Sequence, residues 1–210
     1  MRLSPGKFNT HLAKLGQNFS WRRAYACPCI SPHSNAAKAT CPLCKGKGRM
    51  WSTAVSGVAG IAGQAIQTAW AQFGTAESGD VVLTIPSDSP LYPMGQFDRV
   101  VMSDSSQPFS IVLTRGMNDV MRYPVVNIDR VYWLNPAGTA VVEGGIPTAS
   151  SAGVLTWVSG EPPVGTQYNI TGRQRPEFFA YQDFPRDRAH HSGAPLPRRV
   201  VIRRYDLYGR

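Results

Sequence analysis

The sequence predicts a mainly β protein: a small antiparallel barrel or sandwich with a zinc-stabilised N-terminal arm and an extended C-terminal arm. Three observations carry this. Short β-branched and aromatic runs recur at intervals of about ten residues from position 79 onward, separated by turn residues. Gly and Pro are abundant, at 20 and 17 of 210 residues, which favours strands and turns over long helices. All four cysteines fall within residues 27–44, a clustering that suits a metal clip better than dispersed disulfides.

Along the chain, a short helix is expected over residues 9–16, capped by Asn9 or Thr10. Phe19, Trp21 and Tyr25 then surround Arg22 and Arg23. Residues 54–61 alternate like a strand. Residues 63–73 are either a short helix or a second strand, because Ile66, Trp70 and Phe73 have helical spacing; the reading favoured is a strand followed by an extended segment. Strands follow over residues 81–85, 97–102, 109–114, 123–128, 131–134, 139–142, 154–157 and 167–171, with Asn135-Pro136-Ala137-Gly138 as one of the turns. No amphipathic helices alternate with them, which argues against a parallel α/β fold. The tail ends in Arg198-Arg199-Val200-Val201-Ile202-Arg203-Arg204-Tyr205, which also alternates like a strand. These readings divide the chain into an arm with a cysteine module over 1–51, a β domain over 52–172 and a basic arm over 173–210. The hydrophobic fraction of 42% is enough for a core. Residues 1–20 lack an apolar stretch and a cleavage site, so no signal peptide is expected, and the most apolar run, residues 52–70, is Ala- and Gly-rich with Gln64 and Gln67, so no membrane span is expected.

The cysteine module reads Cys27-Pro-Cys29, eleven residues, then Cys41-Pro-Leu-Cys44-Lys-Gly-Lys-Gly. Four thiolates suit a closed tetrahedral zinc site, one Zn²⁺ per chain, with a structural role because no position is left for substrate. Two residues between Cys41 and Cys44 let both sulfurs reach one ion. Gly46 and Gly48 let the backbone turn back and aim amides at sulfur. This half resembles the Cys-x-x-Cys-x-Gly-x-Gly repeat of the DnaJ cysteine-rich domain. The Cys-x-Cys half departs from it, leaving open that His33 replaces a cysteine. Free thiols, a strained Cys27–Cys29 link and an iron–sulfur cluster are the alternatives.

Charge is split. Residues 1–50 hold nine Lys or Arg and no acid; residues 51–170 hold four basic and nine acidic residues; residues 171–210 hold nine Arg and four acids. Two basic ends flanking an acidic middle suggest contact with a polyanion or an acidic protein surface, through Arg22, Arg23, Arg198, Arg199, Arg203 and Arg204. A solubilising tail is the plainer reading. No catalytic signature appears, and the chain is not expected to be an enzyme. Asp80, Asp88 and Asp98 sit beside strand ends, where Asp usually serves local hydrogen bonding. A zinc hydrolase would need a second, open metal site, for instance through His190 and His191.

Several stretches resemble tailed-bacteriophage neck proteins, the head-to-tail connector and head-closure components of the virion. They are the cysteine module followed by Trp51; Glu77-Ser78-Gly79-Asp80-Val81-Val82-Leu83-Thr84-Ile85-Pro86; Gly95-Gln96-Phe97-Asp98-Arg99-Val100; and Arg186-Asp187-Arg188-Ala189-His190-His191 through Leu196-Pro197 to Arg204. The resemblance implies a structural virion protein forming a homo-oligomeric ring of 6 or 12 copies in the neck, assembled in the host cytoplasm. It also implies contacts with a portal or adaptor protein and with tail proteins, and DNA passing through the channel without sequence-specific binding. An acidic middle would suit a channel wall that repels DNA. Tail or baseplate location is one alternative. A zinc-containing nucleic-acid binder is another, with Phe19, Trp21 and Tyr25 stacking on bases beside Arg22 and Arg23.

Overall fold

The computed structural model describes residues 4–184, 190–191 and 193–208. The chain is mainly β and contains a closed antiparallel barrel. It divides into two compact units, one of residues 1–104 and 177–210, the other of residues 105–176.

In the first unit, helix α1 (Pro5–Leu15) starts at Pro5 rather than near Asn9. Proline fits the first helical turn, where its missing N–H is not needed. Asn9 serves another purpose: it is buried and donates Nδ2 to Ser87 Oγ at 2.9 Å. The strands are β1 (Gln17–Arg22), β2 (Ala24–Ala26), β3 (Arg49–Trp51) and β4 (Val55–Ile61). Next come helix α2 (Gln64–Ala71), β5 (Val81–Ile85) and β6 (Arg99–Met102). Residues 63–73 therefore contain a helix, not the favoured strand. Its spacing buries Trp70 against Val82, Phe184 and Val201 on the outside of the barrel.

The second unit contains β7 (Gln107–Thr114), β8 (Val125–Leu134), β9 (Val141–Glu143), β10 (Thr148–Ala149), β11 (Leu155–Thr156) and β12 (Gln167–Gln174). Four of these form an antiparallel sheet in the order β7-β12-β8-β9 over a core of Phe109, Leu113, Ile128, Val131, Tyr168 and Ile170. The two runs read at 123–128 and 131–134 are one strand. Thr171 pairs with Arg130 but Gly172 pairs with Ile128, so Asp129 is the extra residue of a bulge.

The chain then returns to the first unit through β13 (Glu177–Asp183), β14 (His190–His191), β15 (Ala194–Pro195), β16 (Arg198–Arg204) and the 3₁₀ turn η1 (Tyr205–Leu207). The barrel closes in the order β1-β4-β5-β16-β13-β6 around Phe19, Leu83, Ile85, Val100, Phe178 and Ile202. It thus draws strands from both of the segments read as arms, while residues 105–176 form a separate unit. The division at 51 and 172 differs from this because evenly spaced strands do not reveal where one sheet ends and another begins. Residues 185–189, part of the resembling C-terminal stretch, lie outside the described residues.

Candidate metal centre

Strands β2 and β3 form a two-stranded ribbon, pairing Ala24 with Trp51, Tyr25 with Met50 and Ala26 with Arg49. The ribbon continues one step as Cys27 donates its N–H to the Gly48 carbonyl at 2.9 Å, so the loop from 27 to 48 closes on itself. At its far side the Cys41-x-x-Cys44 turn is held by Lys45 N–H to Cys41 O, 2.9 Å, and Lys47 N–H to Cys44 O, 3.0 Å. Lys45 and Gly46 have φ of 50° and 81°. That left-handed pair reverses the chain around the sulfurs, and glycine adopts it without a Cβ penalty.

The four sulfurs converge. Cys27 Sγ lies 3.8 Å from Cys41 Sγ, Cys29 Sγ lies 3.5 Å from Cys44 Sγ, and all four fall within 4.8 Å of one another. A tetrahedron with metal–sulfur bonds of about 2.3 Å has edges of about 3.8 Å. The donor set therefore fits one tetrahedral metal ion, and all four positions are filled by protein. The thiols are not joined as disulfides. His33 is exposed and outside the cluster, and among the described residues no other group of three His, Cys, Asp or Glu side chains converges in this way. His190 and His191 are exposed on β14.

The backbone prepares one ligand more than another. The N–H of Cys44, helped by that of Leu43, brings the Cys41 thiol down to about 6 against the burial that opposes it. Burial pushes Cys29 up to about 12. A cation is what would let all four sulfurs stay charged together.

The structure redistributes the other sequence candidates. Arg22 and Arg23 are exposed. Arg203 is 9% exposed and bound to Asp80, so it cannot serve as a surface contact. Arg198 is paired with Asp183 and donates to Tyr92 O at 2.8 Å. Arg199 lies 5.9 Å from the Phe184 ring, and Arg204 pairs with Asp206 at 3.0 Å. Most of the C-terminal arginine stripe is thus used within the chain. Phe19 and Trp21 are core residues of the barrel, so only Tyr25 of the three stacking candidates is exposed.

Part of the acidic middle is likewise used within the chain. The Asp80 and Asp98 side chains are buried acceptors, Asp119 and the exposed Glu161 pair with Arg115, and the exposed Glu143 pairs with Arg130. A continuous negative wall does not follow from residues spent in this way.

Sequence reasoning missed an aromatic cleft of about 700 Å³ beside the metal loop. Lys47, Arg49, Phe97, Phe179, Tyr181 and Tyr208 contribute to its lining. They come from four separate stretches of the chain, around 47–49, 97, 179–181 and 208, which only the fold gathers, so no local pattern marks the cleft. No protein-family model matches the chain, and neither does any curated protein.

Proposed function

We propose that this chain is a structural virion protein of a tailed phage, assembling as a ring in the neck between portal and tail and holding one structural Zn²⁺. The observation that carries the structural role is the closed Cys₄ cluster, mounted on a ribbon that follows directly from barrel strand β1. Such a centre orders a module and leaves no open coordination position for chemistry. The stretches resembling neck proteins support the reading further, because they are barrel-building segments. Residues 77–86 contain β5 and Asp80, whose side chain is buried, residues 95–100 carry the buried Asp98 into β6, and residues 196–204 contain β16. Partners of the ring are further copies of the chain, a portal or adaptor protein and tail proteins, with DNA passing through unread. The tetrahedral sulfur spacing and the Cys-x-x-Cys-x-Gly-x-Gly turn favour zinc over an iron–sulfur cluster.

Electron cryo-microscopy of particles containing the chain tests the assignment. Ring density between portal and tail, with a metal peak at the four cysteines, is the expected result. Density in the baseplate would move the protein to the tail, and absence from the particle would overturn the virion reading.

A further inference from the structure

The metal loop and the C-terminal turn η1 share a wall. Lys47, three residues beyond Cys44, donates Nζ to the Tyr205 hydroxyl at 3.1 Å, and its ammonium lies 4.8 Å from that ring's centre. Trp51 meets Tyr205 and Tyr208 edge-on at 5.9 and 6.0 Å. Arg49 sits 4.2 Å from the centre of Phe97, whose ring meets Tyr208 edge-on at 6.0 Å. Tyr205 and Tyr208 stack on each other at 5.7 Å. Positions 47, 49 and 51, where the chain leaves the cysteine loop, therefore all contribute to the seat of η1. The barrel supplies the opposite side through Arg99, 4.4 Å from the Tyr205 ring, and Phe179, 5.2 Å from Tyr208.

The loop that presents this wall has no apolar core of its own. Its buried cluster is Cys27, Cys41 and Cys44, with Cys29 packed against them. Its other residues are mostly exposed. Only a bound ion can offset the entropy of ordering some twenty residues around four sulfurs. The C-terminal turn, by contrast, grows from β16, which pairs on both sides within the barrel. Losing the loop would leave the barrel standing and remove one wall from η1.

We propose that metal binding and docking of the C-terminal turn are a single coupled equilibrium: the ion orders Lys47, Arg49 and Trp51, and these hold Tyr205 and Tyr208 against the barrel. Removing the ion releases η1 and opens the aromatic cleft. Coupling of this kind is reciprocal, so the turn must strengthen metal binding by the same factor that the metal strengthens docking. The inference rests on the four thiolates holding a divalent metal; it does not depend on the position of the chain in a virion.

The test uses the full-length, zinc-loaded protein. Native mass spectrometry first counts the ion, and zero occupancy overturns the metal reading and this proposal together. With one ion present, hydrogen–deuterium exchange is compared before and after chelation. The expected result is joint loss of protection over residues 27–48 and 205–208, with β5, β13 and β16 unchanged. Loss confined to 27–48 overturns the coupling while leaving the metal site intact, and loss throughout the barrel overturns it as mere global unfolding. Tyr205→Ala, which touches no cysteine, is expected to weaken zinc affinity about tenfold in competition with a chromogenic chelator. Lys47→Met should act in the same direction, and unchanged affinity in both variants overturns the proposal.

Discussion

Arg203 binds Asp80 at two points, Nε to Oδ1 and Nη2 to Oδ2, both at 2.9 Å. The Asp80 side chain is 2% exposed and that of Arg203 11%. Asp80 also accepts from Trp70 Nε1 at 2.9 Å and from the Glu77 N–H at 3.0 Å. Arg203 also donates to Thr75 O at 2.6 Å, and its guanidinium carbon lies 3.8 Å from the centre of the Tyr181 ring. One buried ion pair thus ties α2, the approach to β5, β13 and β16 together.

Removing one member strands the other without solvent. Arg203→Met is expected to destabilise the protein by about 3–5 kcal/mol, the usual cost of breaking a buried pair. Arg203→Lys should recover only part of this, since an ammonium cannot reproduce the two-point geometry. Urea unfolding followed by far-ultraviolet circular dichroism measures both. A loss below 1 kcal/mol in Arg203→Met would show that Asp80 finds water and that the pair is not closed.

Asp98 plays the matching part at the other side of the barrel. Its carboxylate accepts from Trp21 Nε1 at 2.8 Å, the Ala24 N–H at 2.6 Å and the Gly95 N–H at 2.8 Å. Asp98→Ala leaves three donors without this acceptor and is expected to cost about 3 kcal/mol or more. Trp21→Phe removes one donor and should cost less, about 1–2 kcal/mol. Thermal unfolding of the two variants checks the order. Because Ala24 begins β2, Asp98→Ala should also loosen the ribbon that carries the cysteines, which hydrogen exchange over residues 24–26 and 49–51 would report.

These contacts show what the sequence made legible and what it did not. Cysteine spacing is local chemistry, so the four sulfurs and their turn could be read directly. The β-branched run of residues 81–85 and the alternation of residues 198–204 are equally plain. Phe19 and Trp21 stand beside Arg22 and Arg23, a grouping that in sequence suits the alternative of base stacking; the barrel takes both rings inward. Arg203 reads as a surface charge in sequence because its partner lies 123 residues away. Helix α2 is the less favoured of the two readings from sequence because Ala- and Gly-rich residues fit either period, and only packing of Trp70 on Val82 and Val201 decides between them.

Metal removal should be local and dependent on pH. Cys41→Ser is expected to lower metal occupancy and to raise exchange in the cysteine loop, leaving the barrel strands protected. Thiolates are the binding form, so protons compete with the ion and affinity falls as pH falls. With Cys29 at about 12, loading near neutral pH must expel its proton. Cys41, at about 6, is already mostly ionised there, and below that value a further proton has to be displaced. The affinity should therefore fall more steeply with acid below about pH 6 than above it. Calorimetric titration in buffers of different ionisation enthalpy counts the protons released. An unchanged count from pH 5.5 to 7.5 would contradict the depressed Cys41.

The second unit has its own acid-sensitive contact. Burial raises the Asp119 carboxyl, but hydrogen bonds from Arg115, at 2.8 Å, and from the backbone N–H groups of Gly116 and Asp119 outweigh it, leaving the group below its ordinary 3.8. A carboxyl depressed in the folded state stabilises that state above its unfolded value and loses the contribution as pH falls through the folded value. Stability should therefore hold down to about pH 4 and decline below it. Asp119→Asn is expected to lower stability at pH 7 and to flatten this part of the acid limb, while leaving metal content unchanged because the cysteines belong to the other unit. Unfolding measured at intervals from pH 2 to 7 provides the comparison. Parallel curves for the two proteins would mean that the pairing with Arg115 contributes nothing to folding.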